Sequence, residues 1–418
     1  MKKIWQTWKS ISLVIRIAAG LAIGVITGLL VPGAAWIGIL GDLFVGALKA
    51  IAPLLVFVLI ISSLCNAKRT HGRIIRNVII LYLVSTVIAA VVAVFASKLF
   101  PVTLALTGVD EISGVSAPSG VGEVLENLLM NMVENPISAL AGGNYLGILF
   151  WSVLLGLALR RASESVKRAM DSISQTTTSV VRAVIEFAPF GILGLVFESI
   201  STSGLNIFAD YGQLLLLLVG CMLFITLVTN PLLVFICIRQ NPYPLVFKCL
   251  KDSAVTAFFT RSSAANIPVN MKVCEELGLD RNTYSVTIPL GATINMDGAA
   301  ITITVMTMAT CATLGIQVDI PTALVLSLLA AVSACGASGV AGGSLLLIPM
   351  ACSLFGIPDL IAMEVVAIGF IIGVVQDSVE TALNSSSDLL LSATAEFHEW
   401  KKQGKPIVIN MNSKQTEA

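Results

Sequence analysis

Long apolar runs separated by short polar stretches dominate the first half of the chain. These runs lie near residues 11–31, 43–65, 78–100, 144–159, 180–200 and 212–238. Because roughly 20 helical residues cross a hydrocarbon core of about 30 Å, each run predicts a transmembrane helix. The first run has no small-residue cleavage site and ends at Pro32 and Gly33, so we interpret it as a retained span rather than a signal peptide.

Polar and glycine-rich residues interrupt the apolar runs of the second half. Its four apolar segments lie near residues 246–275, 282–312, 320–357 and 361–398. The first three segments are broken at residues 260–268, 295–298 and 336–343. Non-helical backbone at membrane depth is tolerated only where protein or a wet cavity surrounds it, and paired interrupted segments are typical of transporter binding sites. The pattern therefore predicts a transport core with a weak inverted repeat.

Composition supports a polytopic membrane protein. The 418 residues are 56% hydrophobic and 12% charged, whereas soluble domains carry about 25% charged residues. A net charge of +0 argues against a nucleic-acid partner. The two histidines, His71 and His398, disfavour a histidine-based metal site or a Ser-His-Asp hydrolase. The eight cysteines show no paired spacing, and we interpret them as buried thiols.

Basic residues alternate with long stretches that lack them. They cluster before the first span, between spans two and three, and after spans four and six: Lys2, Lys3, Lys9, Arg16, Lys68, Arg69, Arg73, Arg76, Arg160, Arg161, Lys167, Arg168, Arg239, Lys248 and Lys251. The loop at 101–140 is instead acidic. Because basic loops stay in the cytoplasm, the N-terminus is predicted inside and the acidic loop outside.

The same rule orients the interrupted segments. Basic residues flank both ends of the 246–275 segment, which predicts an inner hairpin that enters and leaves from the cytoplasm. The 320–357 segment has no basic flank, which predicts an outer hairpin entered from outside. The last span then returns to Lys401, so both termini are cytoplasmic. Two ordinary kinked spans are the alternative, with the same sidedness of the termini.

A polar stripe runs along the last span. Asp377, Glu380, Thr381, Asn384 and Asp388 recur at helical spacing and therefore share one face. Ionisable groups at membrane depth usually face a pathway or each other. A polar seam between helices is the alternative, but such seams normally use Ser, Thr or Asn rather than three carboxylates.

The chemistry of these polar residues suits an alkali cation and an amino acid. Carboxylate, amide and hydroxyl oxygens without His or Cys disfavour a transition metal, and Asp297, Asn295 and Thr293 extend the same oxygen-rich set. Helix N-termini at the hairpin tips, with Ser262 and Ser263, can accept a carboxylate. An amino-acid zwitterion carried together with sodium fits both the oxygen ligands and the carboxylate-accepting hairpin tips. A membrane enzyme is disfavoured because no nucleophile–base pair or phosphate loop is visible, and an ion channel is the second rival.

The motifs at 261–268, 295–298, 339–343 and 377–388 together resemble the dicarboxylate/amino acid:cation symporter family, which has the glutamate-transporter fold. The resemblance covers nearly the whole chain. It implies an all-α polytopic membrane protein with eight transmembrane helices, two re-entrant hairpins and inverted repeats. It also implies an elevator-type mechanism, a homotrimer surrounded by membrane lipid, and a bacterial inner-membrane location.

The resemblance implies a division into fixed and mobile parts. These are scaffold helices 1–2 in 1–72, transport-domain helix 3 in 73–100, the outer loop with scaffold helices 4–5 in 101–205, transport-domain helix 6 in 206–245, the transport core in 246–398, and a cytosolic tail in 399–418.

Site residues follow from the resemblance position by position. The implied substrate ligands are Ser262, Ser263, Asp377, Glu380, Thr381 and Asn384, with Asp377 holding the ammonium and Asn384 the carboxylate. The resemblance also implies three sodium sites. The first has Gly291, Asn295, Asn384 and Asp388, the second has Thr293 with the outer hairpin carbonyls, and the third has Tyr82, Ser85, Thr86, Asn295 and Asp297. The implied gate at the outer hairpin tip is Gly339, Val340, Ala341 and Gly342.

Two departures from the family pattern bear on the substrate. Glu380 replaces the arginine that acidic-substrate members carry, and Ala299 replaces a threonine that assists it. Reversing a buried charge is worth several kcal/mol at about 4 Å, so aspartate and glutamate should be rejected. We therefore expect sodium-coupled import of L-serine and L-threonine without an organic cofactor. The alternatives are sodium- or proton-coupled uptake of other small neutral amino acids or dicarboxylates, and a Glu380–Arg261 ion pair that leaves Glu380 no substrate role.

Overall fold

The computed structural model is helical throughout the part of the chain that it describes. That part comprises residues 11, 13–66, 73–106, 126, 129–130, 132–337 and 342–407. Within those ranges the regular elements are α-helices with short 3₁₀ and π segments, and no strand occurs. The fold expected from the sequence, all-α, is therefore confirmed at this level.

Most of the predicted apolar runs of the first half coincide with helices. The described helices there are α1 (Leu13–Leu30), α2 (Ile39–Asn66), α3 (Arg73–Leu99), α4 (Pro136–Gly142), α5 (Tyr145–Leu159), α6 (Glu164–Ile185), α7 (Ala188–Ser203), α8 (Ile207–Phe224) and α9 (Asn230–Ile238). The structure adds the short α4 and the polar α6 to the predicted runs. A π-helix, Ile225–Thr229, joins α8 to α9.

The predicted fifth span at 180–200 is not one straight helix. It falls across α6 and α7, which meet at a bend of 50°. Pro189 lies in the first turn of α7, where its missing N–H breaks the hydrogen-bond ladder without leaving a donor unpaired. The polar α6 therefore approaches the apolar α7 at an angle that the apolar run alone does not reveal.

Glycines set the closest helix crossing, between α1 and α7. A Cβ on Gly20 would lie 2.1 Å from the Pro189 carbonyl oxygen, and one on Gly24 would lie 2.7 Å from that of Leu193. Backbones can approach this closely only where no side chain intervenes. The two helices therefore pack closely, and α2 packs against α7 as well.

The inner hairpin has two antiparallel limbs. Its helices are α10 (Tyr243–Cys249), a π-helix (Leu250–Ala254), α11 (Val255–Thr260) and α12 (Ser263–Glu276). Lys248 near the start forms an ion pair with Glu276 at the end, at 3.2 Å. The Asn266 amide, nearer the tip, donates to the Ser253 carbonyl at 3.3 Å.

The tip of the inner hairpin is tighter than the sequence predicted. The break expected over 260–268 is confined to Arg261 and Ser262, since α12 begins at Ser263 and continues through Pro268. Arg261 has a left-handed backbone (φ 50°), and the Ser262 hydroxyl accepts from the Ala265 N–H. Pro268 has no N–H, so the Ala264 carbonyl one turn earlier lacks its usual helical donor.

A broken helix and the outer hairpin follow. The broken helix consists of α13 (Arg281–Ile294) and α14 (Asp297–Thr313), separated at the predicted break. The outer hairpin contains α15 (Ile320–Ala334), a 3₁₀ segment (Leu345–Leu347) and α16 (Ile348–Ser353). Ser333 donates to the Met350 sulfur at 3.2 Å, which joins its two limbs.

The last helix, α17 (Asp359–Lys402), is an uninterrupted run of 44 residues at the centre of the second half. It packs against α3, α9, both hairpins and the broken helix. Five described helices, or six if the bent α6–α7 pair counts as one span, are long and apolar enough to cross a membrane. The chain is therefore a multi-pass membrane protein in its overall construction.

Candidate functional site

The polar stripe of α17 is buried. Asp377, Glu380, Thr381, Asn384 and Asp388 are each at most 6% exposed. Burying charged groups is costly unless they are paired and hydrogen-bonded, so their partners define the site. Those partners come from the inner hairpin tip, the outer hairpin and the broken helix.

The inner hairpin tip reaches the stripe through Arg261. Its Nε donates to Asp377 Oδ2 at 2.7 Å, and both side chains are nearly buried. The alternative pairing of Arg261 with Glu380 is therefore wrong in this structure. Ser263, which starts α12, is buried, and the N-terminus of that helix lies beside the ion pair.

The outer hairpin reaches the same carboxylate from the other side. The Gly342 N–H donates to Asp377 Oδ1 at 3.3 Å. Gly342 has a left-handed backbone (φ 73°), and a Cβ there would lie 2.8 Å from the Phe370 ring. Of the four predicted gate residues it is the one described; Gly339, Val340 and Ala341 lie outside the described residues.

Glu380 is held by three donors that the sequence did not identify. Its Oε2 accepts from Thr302 Oγ1 at 2.7 Å, Ser344 Oγ at 2.9 Å and Gln376 Nε2 at 2.5 Å. Thr302 belongs to α14 and Ser344 to the outer hairpin. Glu380 therefore joins three elements. Only Gln376 was within reach of sequence reasoning, because it precedes Glu380 by one helical turn.

Asn384 contacts the break in the broken helix. Its Oδ1 accepts from the Gly298 N–H at 2.7 Å, and its Nδ2 lies 3.4 Å from the Met296 sulfur. The carboxamide thus satisfies a backbone donor freed at the start of α14. Thr381 is buried on the same side of α17.

A first oxygen cluster surrounds Asp388. Asn295 Nδ2 donates to Asp388 Oδ1 at 2.9 Å, and the Tyr82 hydroxyl donates to the Asp388 carbonyl at 2.9 Å. Asn295 Oδ1 and Asp388 Oδ2 are buried and accept no hydrogen bond from the described residues. Buried acceptors are rarely left unpaired. Two such oxygens in one cluster suit a hard cation such as sodium.

The close approach at this cluster depends on Gly291. A Cβ there would lie 2.8 Å from both Asp388 Oδ1 and the Tyr82 hydroxyl. The resemblance placed Asn295 both with Asp388 and with Asp297, and Tyr82 with Asp297. In the structure Asn295 donates to Asp388, and the Tyr82 hydroxyl also contacts Asp388 rather than Asp297.

A second oxygen cluster surrounds Asp297. Ser85 Oγ donates to its Oδ2 at 2.7 Å and Thr86 Oγ1 to its Oδ1 at 3.1 Å. Asn230 completes the cluster: its Oδ1 accepts from Ser85 at 3.0 Å. Asn230 was not predicted, because nothing in the sequence relates α9 to α3.

Thr293 lies apart from both clusters. Its hydroxyl donates to the Leu290 carbonyl within α13. It lines a cavity of about 580 Å³ that Cys335 and Gly336 of the outer hairpin also line. The structure therefore brings Thr293 to the outer hairpin, as the predicted second sodium site requires, but not to the other predicted ligands.

Comparison with known proteins agrees with this architecture. The model of the sodium:dicarboxylate symporter family matches residues 13–396. The serine/threonine transporter SstT of Bifidobacterium adolescentis is 57% identical over 419 residues, covering 100% of this chain and 97% of the relative. The protein of the same name from Streptococcus thermophilus is 55% identical over 402 residues, covering 96% and 100%.

A third relative gives the same result. The serine/threonine transporter SstT of Streptococcus agalactiae is 56% identical over 396 residues, or 95% of this chain and 98% of the relative. The family match spans both hairpins, the broken helix and α17, which carry the oxygen clusters. The resemblance seen in the sequence is confirmed: the chain belongs to the sodium:dicarboxylate symporter family, and it is a transport protein rather than an enzyme.

Proposed function

We propose that this protein imports L-serine and L-threonine together with sodium across the bacterial inner membrane by alternating access. The curated relatives carry the name serine/threonine transporter over essentially the full chain, and the family is named for sodium. Both termini are cytoplasmic in this proposal.

One observation carries the proposal: the two hairpins, the broken helix and α17 converge on a single buried polar stripe. Asp377 contacts Arg261 of the inner hairpin and Gly342 of the outer hairpin. Two turns along, Asn384 contacts Gly298 of the broken helix. Converging polar groups at the meeting point of interrupted segments are typical of a transporter binding site.

The substrate's charged groups have natural partners at this convergence. Asp377 attracts the ammonium, with Oδ1 less strongly bonded than Oδ2. The α12 N-terminus, with Ser262 and Ser263, attracts the carboxylate, and Asn384 provides an amide. The Ser262 hydroxyl already caps α12 by accepting from the Ala265 N–H. The substrate carboxylate is therefore bound by the backbone N–H groups at the start of α12.

The side chain of the substrate meets Glu380 and Thr381. The substrate's hydroxyl group can donate to the Glu380 carboxylate, which already accepts from Thr302 and Ser344. A second carboxylate would be repelled there. Ala299, which follows Gly298, is fully buried, and its methyl side chain offers no hydrogen bond. These features favour a small hydroxylated side chain over an acidic one.

Sodium is cargo in this proposal, and the oxygen clusters around Asp388 and Asp297 are its binding sites. The Asp388 cluster has two buried unpaired acceptors, and the Asp297 cluster has hydroxyl and carboxylate oxygens in contact. The second of the three implied sodium sites uses Thr293 with the outer hairpin, which line one cavity. Cations bound here neutralise carboxylates that are otherwise buried, which couples ion binding to substrate binding.

The remaining architecture follows the family. Eight spans and two hairpins form each subunit, three subunits form a trimer in the lipid bilayer, and the scaffold comprises helices in 1–72 and 101–205. The mobile part comprises helices in 73–100 and 206–245 with the core at 246–398. The close α1–α7 crossing supports a fixed scaffold. The shared contacts of α17 support a core that moves as a unit.

Uptake of labelled L-serine into proteoliposomes tests the proposal. We expect accumulation above equilibrium with an inward sodium gradient, none with choline, and competition by L-threonine but not by L-aspartate. Uptake driven equally well by choline would overturn sodium coupling. Competition by aspartate would instead favour a dicarboxylate substrate, and serine movement that never exceeds equilibrium would favour a channel.

A further inference from the structure

Asn230 belongs to the Asp297 cluster, and a π-helix directly before α9 brings it there. It begins α9 directly after the π-helix Ile225–Thr229 and is followed by Pro231. A π-helix inserts an extra residue into a turn and often marks a functional site. The Asn230 side chain is 1% exposed and contacts Ser85 of α3 and Asp297 of α14.

The Ser85 hydroxyl has two acceptors within reach but only one proton. Its oxygen lies 2.7 Å from Asp297 Oδ2 and 3.0 Å from Asn230 Oδ1. A hydroxyl carries one donor hydrogen and two lone pairs, and the hydrogen rotates to suit its surroundings. When Ser85 offers a lone pair to a cation at Asp297, its proton must point elsewhere, and Asn230 Oδ1 is the acceptor in place.

Thr86 repeats this arrangement with a backbone acceptor. Its Oγ1 lies 3.1 Å from Asp297 Oδ1 and 2.9 Å from the Tyr82 carbonyl. Both hydroxyls beside Asp297 therefore have one acceptor on the carboxylate and a second acceptor away from it. For Thr86 the second acceptor is part of its own helix; for Ser85 it depends on one side chain, Asn230.

We infer that Asn230 is a positioning residue for the cation site at Asp297. It receives the Ser85 proton when an alkali cation binds, so that Ser85 and Asp297 both present lone pairs to the ion. Its Nδ2, 3.5 Å from Asp297 Oδ2, keeps the amide oxygen turned toward Ser85. This inference rests on the proposed sodium coupling and adds a residue that acts through Ser85 rather than on the ion.

Sodium-dependent thermal stabilisation of purified protein, without substrate, tests this role. The melting temperature is titrated with NaCl against choline chloride, and the sodium dependence of serine uptake is measured in parallel. Asn230→Leu should raise the half-saturating sodium concentration about tenfold or more in both, since orienting partners of metal ligands contribute 10–100-fold in affinity. The serine KM at saturating sodium should stay near the wild-type value.

Three variants make the result specific. Asn230→Asp keeps an acceptor oxygen for the Ser85 proton and should retain sodium binding within a few-fold of wild type. Gln213→Leu makes the same amide-to-leucine change on α8, where the side chain is exposed and outside both clusters, and should leave sodium dependence unchanged. In a Ser85→Ala background, Asn230→Leu should have no further effect on the half-saturating sodium concentration.

The outcomes separate this inference from the proposed function. If wild-type protein shows no difference between NaCl and choline chloride, sodium coupling itself fails. If wild type responds to sodium and a folded Asn230→Leu responds at the same concentration, the role of Asn230 is overturned. Should Asn230→Leu not fold, Asn230→Ala takes its place, because it also lacks the acceptor oxygen. If Asn230→Ala does not show the weakened sodium response, the inference fails.

Discussion

The two carboxylate oxygens of Asp377 have different surroundings. Oδ2 is tightly paired with Arg261 at 2.7 Å, whereas Oδ1 has the longer 3.3 Å contact with the Gly342 N–H. Asp377 can therefore keep its ion pair with the inner hairpin and still attract an ammonium through Oδ1. A single carboxylate then binds the substrate ammonium and also holds the inner hairpin tip through Arg261.

Asp377→Asn should abolish serine uptake and also lower stability. Removing one member of a buried ion pair leaves the Arg261 charge unpaired and costs about 3–5 kcal/mol of folding stability. The substrate ammonium loses its carboxylate partner at the same time, which is why uptake should be lost. Uptake assays and the melting temperature with and without serine measure the two effects. Glu164→Gln is the control, since it removes an exposed pair with Lys167 and should change neither. Wild-type uptake by Asp377→Asn would remove the assignment.

Glu380→Gln should weaken the exclusion of aspartate. Without the negative charge, the repulsion of a substrate carboxylate is lost, and inhibition of serine uptake by aspartate should strengthen by about tenfold or more. Serine uptake itself should fall, because the hydroxyl loses a charged acceptor and Thr302, Ser344 and Gln376 lose theirs. Competition assays with labelled serine measure both changes.

Ser344→Ala provides the matched comparison for Glu380→Gln. It removes one of the three donors but keeps the carboxylate, so aspartate should still be excluded. An unchanged response to aspartate in Glu380→Gln would show that Glu380 plays no part in selectivity, whatever its effect on the hairpin.

Sequence reasoning identified the residues of α17 but not most of their partners. The stripe from Asp377 to Asp388 follows from helical spacing within one segment. Ser85 and Asn230 are 145 residues apart, and Thr302 and Glu380 are 78 apart. No local pattern pairs such positions; only the packing of α3, α9, α14 and α17 brings them together.

At the scale of elements, a buried amide network fixes the inner hairpin to α17. Asn266 Nδ2 donates to Ser385 Oγ at 2.8 Å, and Asn270 Nδ2 donates to the Ser385 carbonyl at 2.9 Å. Both asparagines lie on α12, one turn apart, and both are at most 1% exposed. The tip that carries Arg261 and Ser262 is thus held in register with Asp377.

Asn270→Leu should loosen this attachment. It removes the amide donor and leaves the Ser385 carbonyl unpaired at that contact, which costs about 1–3 kcal/mol. We expect a melting temperature several degrees lower in detergent and reduced serine affinity. Asn282→Leu, at an exposed position near the start of α13, is the control. Equal effects of the two substitutions would contradict a specific role for the network.

The glycine crossing of α1 and α7 should matter for stability and not for selectivity. In Gly24→Leu the new Cβ lies 2.7 Å from the Leu193 carbonyl oxygen, so the helices must separate and lose their packing. A lower melting temperature with an unchanged ratio of serine to threonine uptake is expected. Gly33→Ala, which has open space, should behave as wild type. An altered substrate ratio in Gly24→Leu would place this crossing in the substrate pathway.

Element boundaries followed from the sequence where backbone chemistry decides them. The break at Asn295 and Met296 and the 44-residue α17 both agree with the apolar pattern. The bend between α6 and α7 did not, because the 180–200 run continues across it. The narrow tip at Arg261 and Ser262 was also missed, since the break was expected to extend over 260–268, whereas Pro268 lies within α12.

At the scale of the whole molecule, a cavity of about 580 Å³ is bordered by the ends of α2 and α5, by α6 and α13, and by the outer hairpin. One wall has Asn66, Arg160 and Asp171, which lie in the region predicted to be cytoplasmic. The opposite wall has Cys335 and Gly336 of the outer hairpin. The outer hairpin, which is expected to enter the membrane from outside the cell, thus borders a cavity that is expected to open to the cytoplasm.

Alternating access predicts that this cavity lets a reagent reach the outer hairpin from the cytoplasm. In a protein whose other cysteines are replaced by alanine, Cys335 should react with a membrane-impermeant thiol reagent in inside-out vesicles. Cys335→Ser should abolish labelling. A cysteine introduced at Asn66, on the facing wall, should label from the same side.

The complementary position is the tip of the same hairpin. The proposed topology has the outer hairpin enter from outside, so Val340→Cys, in a background that lacks Cys335, should react in right-side-out vesicles. Labelling of both positions of one hairpin from opposite sides requires that the core move relative to the scaffold, since a static hairpin would be reached from one side. Labelling of Cys335 only from outside would mean that the cavity is closed to the cytoplasm and would contradict the elevator-type movement.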